Sequence, residues 1–164
     1  MPRHMSAFPL IRPAQPHDAE GICQLLASVG WFYRYASEDP TAHAERVREL
    51  IAQAGERSLL LVAHDRTHGV VGYCATHWQP LAILQGWEGY VSELFVSDAV
   101  RGQGIGRKLL QAATEAARAR GCARIWLVNS KERPSYKRGF YAQQGWSEHP
   151  QLARFALNLE TATL

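Results

Sequence analysis

Glu93-Leu-Phe-Val-Ser-Asp-Ala-Val-Arg-Gly-Gln-Gly-Ile-Gly-Arg-Lys-Leu-Leu110 is the stretch whose reading decides the fold. It opens as a strand, passes through a loop with glycines at 102, 104 and 106, and continues as a helix. The strand runs from about Gly89 to Val96. The helix covers Gly104 to Arg120, with Ile105, Leu109, Ala112, Ala113 and Ala116 inward and Lys108, Gln111, Glu115 and Arg118 outward, and Gly121 ends it. Alternating glycines let the backbone approach a ligand. They also leave N–H groups free at a helix N-terminus, where the helix dipole holds an anion such as a pyrophosphate. Arg101, Arg107 and Lys108 add cations that a plain turn does not require. Two nucleotide classes fail on spacing. A P-loop needs Gly-Lys-Ser/Thr, which occurs nowhere, and Gly102-x-Gly104-x-Gly106 is one residue short of a dinucleotide fingerprint, with Asn129 after the next strand rather than an acid.

Upstream, Phe8 to Arg12 reads as a short strand ended by Pro13 and Pro16. Asp18 is placed to cap a helix with Ile22, Leu25, Leu26 and Val29 at helical spacing, and Gly30 ends it. After the aromatic cluster Trp31, Phe32, Tyr33 and Tyr35, a second helix follows Pro40, with Thr41 as cap and Val47, Leu50, Ile51 and Ala54 on one face. Ser58–His64 and Val70–Trp78 flank the turn 65–69 and predict an antiparallel hairpin. Downstream, Arg124–Val128 is a short buried strand, Pro134 opens a helix that closes at Gly145, and Ala153–Leu159 alternates as a final strand. The order β-α-α-β-β-β-α-β-α-β predicts an α/β (α+β) fold, a mixed sheet with helices on both faces.

The 164 residues suit a single domain spanning 1–164, in which residues 1–5 are set aside as tag-derived or disordered. With 46% hydrophobic and 10% aromatic residues the chain is not intrinsically disordered. A net charge of +3 falls short of the basic face of a nucleic-acid binder. No apolar run is long enough to span a bilayer and no apolar segment follows Met1, so the expectation is a cytoplasmic protein without a membrane partner. Three cysteines, Cys23, Cys74 and Cys122, contain no C-x-x-C and read as buried thiols. His64 and His68 read as solvated turn residues, and no metal site is expected.

Arg101-Gly-Gln-Gly-Ile-Gly106 resembles the [RQ]-x-x-G-x-[GA] signature of the GNAT superfamily, the acetyl-CoA-dependent N-acetyltransferases. The resemblance extends over nearly the whole chain. It takes in Leu10-Ile-Arg12 with Asp18 behind it, the hairpin segment Val70-Val-Gly-Tyr73, and Phe140-Tyr-Ala-Gln-Gln-Gly-Trp146, which is similar to the family's F-Y-x-x-x-G-F. The implied fold has a mostly antiparallel central sheet. The implied co-substrate is acetyl-CoA, with no metal. Backbone groups of Leu94, Phe95 and Val96 would pair with the pantetheine arm. Arg101 and the amides of Gly102, Gln103, Gly104, Ile105, Gly106 and Arg107 would hold the pyrophosphate. Asn129 matches a cofactor-contacting position, Tyr141 the frequent general acid, and Glu93 a position where a base is sometimes found, with Ser92 beside it. The charged segment Ser130–Gly139 departs from the commonest pattern.

The chemistry needs these types. A primary amine of pKa ~10 must lose a proton before it attacks a thioester. A carboxylate can take that proton, and a tyrosine hydroxyl can protonate the leaving thiolate. The readings of Tyr141 as a packed aromatic and of Glu93 as a solvated strand residue stand beside these roles. Trp31, Tyr33, Glu38 and Trp78 are the candidate acceptor-site residues, with Phe32, Tyr35, Asp39, Trp87 and Glu88 nearby in sequence; core packing would account for several of the aromatics. The expected function is therefore an N-acetyltransferase acting on a small-molecule amine in a ternary complex. Protein or peptide N-acetylation and a non-catalytic acyl-CoA-binding module are the alternatives, and a homodimer is left open.

Overall fold

The computed structural model describes residues 8–30 and 39–159. The chain divides into two compact units, Met1–Leu127 and Val128–Leu164. The first contains β1 (Leu10–Pro13), α1 (Ala19–Val29), α2 (Pro40–Gln53), β2 (Ser58–Asp65), β3 (Gly69–Leu81), β4 (Gly86–Val96), α3 (Ile105–Ala119) and β5 (Arg124–Leu127). The sheet order is β1-β2-β3-β4-β5. The first three pairings are antiparallel and β4–β5 is parallel. Parallel pairing needs a crossover, which α3 supplies.

Each face of the sheet carries helices. Ile22, Leu25 and Leu26 of α1 pack with Val62, Tyr73 and Ala75 on one face, joined by Val47 and Ile51 of α2. On the other face α3 buries Ile105, Leu109, Leu110, Ala113 and Ala117. It lies so close to β3 that a Cβ at Gly72 would sit 2.9 Å from Leu109 Cδ1 and 3.1 Å from Ile105 Cγ2, so a larger residue there makes the buried α3 side chains shift. Leu50, placed on the apolar face of α2 by its spacing, is 65% exposed.

Two expected caps are replaced. Asp39, not Thr41, caps α2, its carboxylate accepting from Thr41 N at 3.1 Å. Asp18 stands at the N-cap position of α1, but its carboxylate takes no helix N–H. It accepts two bonds from the Arg12 guanidinium (2.7 and 2.9 Å) and one from Gln15 N (2.8 Å). An arginine fork matches a carboxylate in a way that a single backbone donor does not. The pair ties β1 to the entry of α1.

The hairpin turn is held by Asp65, whose Oδ1 accepts from Thr67 N, His68 N and the His68 ring (2.8, 2.9 and 2.9 Å). Cys23 and Cys74 are buried as expected. Cys122 is half-buried just past the end of α3.

The second unit corrects two expectations. The helix opened by Pro134 is a single turn, α4 (Pro134–Lys137), rather than one running to Gly145. Gly139 stops it with a φ of 67°. Its N–H bonds to Tyr136 O and the Phe140 N–H to Ser135 O, the left-handed exit that glycine permits. A short turn, Ala142–Gln144, then leads to Gly145. Residues 153–159 form no strand. Phe155 and Leu157 are 92% and 84% exposed, because alternation makes a strand only where a neighbouring strand accepts its hydrogen bonds.

Burial pushes the Asp18 carboxyl up, but the Arg12 and Gln15 bonds outweigh it and hold it below the usual range. Its stabilisation is therefore present above the unfolded pKa near 4 and is lost as pH falls through the lower folded value. Asp18→Asn should cost about 1.5–3 kcal/mol at pH 7, measured by urea unfolding. That deficit should shrink as the pH of the comparison is lowered below about 4.

Candidate active site where β4 leaves β5

β4 and β5 pair from Glu88↔Arg124 to Val91↔Leu127 and no further. Beyond Val91, among the described residues, no strand lies along that side of β4, so the edge from Glu93 to Val96 is open. On its other side β4 stays paired with β3 as far as Val96↔Gly72. The register shifts at the point of divergence: Ala75 faces Glu93, while Thr76 faces Val91. Ser92 is the extra residue of a β-bulge.

The bulge decides where two side chains point. Plain alternation puts Ser92 and Glu93 on opposite faces. Glu93 lies opposite Ala75, on the α1/α2 face, where the Tyr73 side chain hydrogen-bonds its carboxylate. Ser92 Oγ lies 2.8 Å from His77 Nε2, and His77 shares the face of Tyr73 and Ala75. Both residues thus face the same side, as two residues against one on the partner strand permits. His77 Nδ1 in turn lies 2.9 Å from Ser58 Oγ on β2. Burial pushes the Glu93 carboxyl up, and the Tyr73 bond opposes this without cancelling it. Burial also lowers the His77 imidazole.

Past Val96, Arg101 to Gly104 are exposed. Gly104 occupies the N-cap of α3 with φ 82°, and no side chain caps the helix. Lys108 N bonds Gly104 O, so the N–H groups of Ile105, Gly106 and Arg107 precede the first intrahelical bond. A Cβ built on Gly102 or Gly104 meets nothing within 4 Å, so open space lies over the loop. Ile105 buries its side chain and can offer only its amide. The Arg101 guanidinium is paired with Asp98 at 2.8 Å.

The other expected site residues differ in outcome. Trp31, Tyr33 and Glu38, with Phe32 and Tyr35, lie outside the described residues. Trp78 is 4% exposed on the α3 face, with Arg120 over its ring and Gly89 against it, on the side of the sheet opposite Ser92 and Glu93. It is a core residue there. The Glu88 carboxylate accepts from Arg124 Nε (2.6 Å) and Trp126 Nε1 (3.0 Å), so its charge is already matched. In the second unit, Asn129 Nδ2 donates to Ser135 Oγ at 3.1 Å. Tyr141 is half-buried between the rings of Phe140 and Trp146. Sequence reading missed His77, Tyr73 and Ser58. The available signal was a histidine between two buried residues of a central strand, which must find partners.

Residues 25–146 match the acetyltransferase (GNAT) family. The chain belongs to the GNAT acetyltransferase family. It is 36% identical over 114 residues to an L-methionine sulfoximine/L-methionine sulfone acetyltransferase of Pseudomonas paraeruginosa, covering 68% of this chain and 64% of that one. It is 32% identical over 142 residues to glucosamine 6-phosphate N-acetyltransferase 1 of Oryza sativa subsp. japonica, covering 84% and 81%. Among solved structures, a transcriptional regulator of Bacillus halodurans C-125 superposes with a TM-score of 0.74 at 28% identity, over 91% of this chain and 99% of that one. The open edge of β4, the carboxylate at its start and the uncapped start of α3 all lie within the residues that match this family.

The geometry constrains the chemistry available. Burial pushes the Cys74 thiol up to about 12, so it carries no thiolate near neutrality. Among the described residues no cluster of three or more His, Cys, Asp or Glu is placed to hold a metal ion. Glu93, Tyr73, Ser92 and His77, with Ser58 beyond the imidazole, are described residues on the α1/α2 face that can move a proton. The Tyr73 hydroxyl favours the ionised form of Glu93. Tyr73→Phe should therefore raise the Glu93 pKa further above the usual carboxylate value, read from the carboxyl carbon in an NMR titration. A downward shift would mean that the hydroxyl accepts a proton from Glu93 instead.

Proposed function

We propose that the chain transfers the acetyl group of acetyl-CoA to the primary amine of a small molecule by direct attack in a ternary complex. One observation carries this reading. The open edge of β4 runs directly into a glycine loop and an uncapped helix N-terminus, with a partly buried carboxylate at the start of that edge. The backbone of Leu94, Phe95 and Val96 suits an extended amide-bearing arm laid along it like a further strand. The amides from Gly102 to Arg107 suit a pyrophosphate. Arg101, once drawn from Asp98, and Asn129 are further candidate contacts. The two relatives named above act on small amines, which favours that acceptor class over a peptide.

Roles follow from proton accounting. The amine arrives as an ammonium near neutral pH. Glu93, directly or through a water, takes a proton to free its lone pair, and its raised pKa brings it closer to working pH than an exposed glutamate. The nitrogen attacks the thioester carbon and the C–S bond breaks. Tyr141 is our candidate donor to the departing sulfur. With the Cys74 thiol protonated and no G-x-S-x-G motif in the sequence, no covalent enzyme intermediate is invoked.

The direct test is thiol release from acetyl-CoA against a panel including L-methionine sulfone and glucosamine 6-phosphate. Tyr141→Phe, which keeps the ring, should lower kcat about 10²-fold with the KM for acetyl-CoA nearly unchanged. Glu93→Gln should depress kcat/KM for the amine and remove its acidic limb, because the group whose ionisation produces that limb is gone. A variant with wild-type rate and profile would return Glu93 to an ordinary strand position.

CoA binding is tested separately. Gly104→Asp puts a negative charge at the helix N-cap, and Gly104→Asn adds the same left-handed strain, about 1–2 kcal/mol, without the charge. Calorimetry should show affinity for CoA reduced at least tenfold more by Asp than by Asn. Equal losses would mean that the phosphates bind elsewhere.

A further inference from the structure

The transfer proposed above removes two protons from the acceptor nitrogen: RNH₃⁺ and acetyl-CoA give the amide, free thiol and one H⁺. One proton leaves before attack and one after, when the attacking nitrogen carries positive charge. Glu93 can take only one of them per turnover before it must be emptied. The β4 bulge turns a second proton-handling group to the same face. Ser92 Oγ, His77 Nε2, His77 Nδ1 and Ser58 Oγ form a continuous line across β4, β3 and β2, with steps of 2.8 Å and 2.9 Å either side of the imidazole. Ser92 is exposed at the bulge. Ser58 helps line an open depression of about 170 Å³ between β2 and the end of α2, with Pro13, Ile51 and Ala54.

We propose that His77, acting through Ser92, carries away the second proton of the acceptor nitrogen and delivers it by way of Ser58 to solvent. This rests on the acetyltransferase reading. In the resting state His77 is neutral, with Nδ1–H donating to Ser58 Oγ and Nε2 accepting from the Ser92 hydroxyl. The alternative acceptor for that hydroxyl, Ala75 O, is farther away at 3.4 Å. After attack, the N–H bond of the nitrogen breaks as Ser92 Oγ takes its proton. The old O–H bond of Ser92 breaks as the proton passes to Nε2, giving imidazolium. The Nδ1 proton then leaves through Ser58, and the ring is left neutral but protonated at Nε2. Once product departs, Ser92, exposed at the bulge, passes that proton to solvent while Nδ1 regains one through Ser58, which restores the starting tautomer with no net transfer. The sulfur receives its proton separately from Tyr141, which is refilled from solvent, and Glu93 gives the first amine proton to solvent, so one H⁺ is released overall. His77 touches no substrate and is a positioning residue.

The surroundings suit transient rather than permanent charge. The Tyr90 ring lies 6.5 Å from His77, and burial lowers the pKa of the His77 imidazole, so the imidazolium releases its proton readily. Glu93 stands next along β4. Glu88, further back on the same strand, is already matched by Arg124 and Trp126.

Two measurements decide the proposal. The first needs no acceptor. Long-range ¹H–¹⁵N spectra of the ligand-free protein at pH 7 should show His77 neutral and protonated at Nδ1. Protonation at Nε2 reverses the bond to Ser92 and overturns the relay. The second uses whichever amine of the panel is turned over. His77→Gln keeps hydrogen bonding but cannot accept and release a proton, and should lower kcat at least about tenfold with CoA affinity within about twofold. His77→Gly should regain part of its rate when imidazole is added. Ser92→Ala should lose rate in the same way, and Ser92→Thr should retain it. Full activity in a folded His77→Gln variant overturns the relay and leaves the acetyltransferase reading intact. A wild-type protein that binds no CoA and acetylates no amine overturns both. Should His77→Gln fail to fold, the Ser92 pair distinguishes the same two outcomes: wild-type rate in Ser92→Ala overturns the relay.

Discussion

One extra residue in β4 governs the arrangement of the site. Were β3 and β4 in uninterrupted register, Ser92 and Glu93 would point to opposite faces, one of them into the layer under α3. The bulge places both on the α1/α2 side and increases the local twist at the residue where β5 ceases to follow β4. Pairing on one side of β4 survives to Val96 while pairing on the other ends at Val91. The strand therefore keeps its support and exposes a backbone edge at the same time. A free edge inside a sheet is normally a liability. Here it is short, flanked by a carboxylate at one end and a glycine loop at the other.

The polar groups on this face run against what stability alone favours. Tyr73, His77 and Glu93 occupy central-strand positions beside Ala75 and the apolar residues of α1. Glu93 has a raised folded pKa, so its protonated form is favoured in the folded state. Stability from this source is greatest below the unfolded pKa near 4.3 and declines as pH rises towards the folded value. A glutamine there avoids that loss. The carboxylate is retained at a cost, and the Tyr73 hydroxyl limits that cost by bonding the ionised form. By contrast Asp18 and Asp65 carry lowered pKa values and sit where the chain turns, so their charges support the fold near neutrality. Among these three carboxylates the sign of the shift separates the two that hold the structure from the one that burdens it.

Much of this is legible in the sequence, for identifiable reasons. The α3 stripe, the hairpin and the glycine loop depend on contacts within a few residues, and periodicity and turn chemistry report those directly. What depends on distant partners is less accessible. Asp18 falls at the right boundary but takes an unexpected partner, because Arg12 belongs to another element. Ala153–Leu159 alternates like a strand, yet strand formation depends on a neighbour that composition does not reveal. Trp78 reads as a candidate for the acceptor wall because it flanks the strand before the glycine loop; the register with Gly89 and the guanidinium of Arg120 place it under α3. The Ser92 bulge itself is a mismatch between two strands. The segment 89–96 alone does not fix it.

The glycine loop and the bulge belong to one strand for a topological reason. α3 must cross from the end of β4 to β5, and parallel pairing requires that it return along the sheet. Its first turn therefore begins beside the end of β4, with Val100 and Ile105 buried on either side of the exposed loop. Gly72 lets α3 sit close to β3, which keeps the helix start low against the sheet. Gly104, left-handed and without a side chain, directs the first-turn N–H groups outward where a capping serine or aspartate would occupy them. A capped helix would be more stable and would present no anion site. The same short span of chain thus supplies a backbone edge, a carboxylate at its beginning and positive helix dipole at its end. A ligand with an amide-bearing arm between a reactive carbonyl and a phosphate can meet all three only in that order.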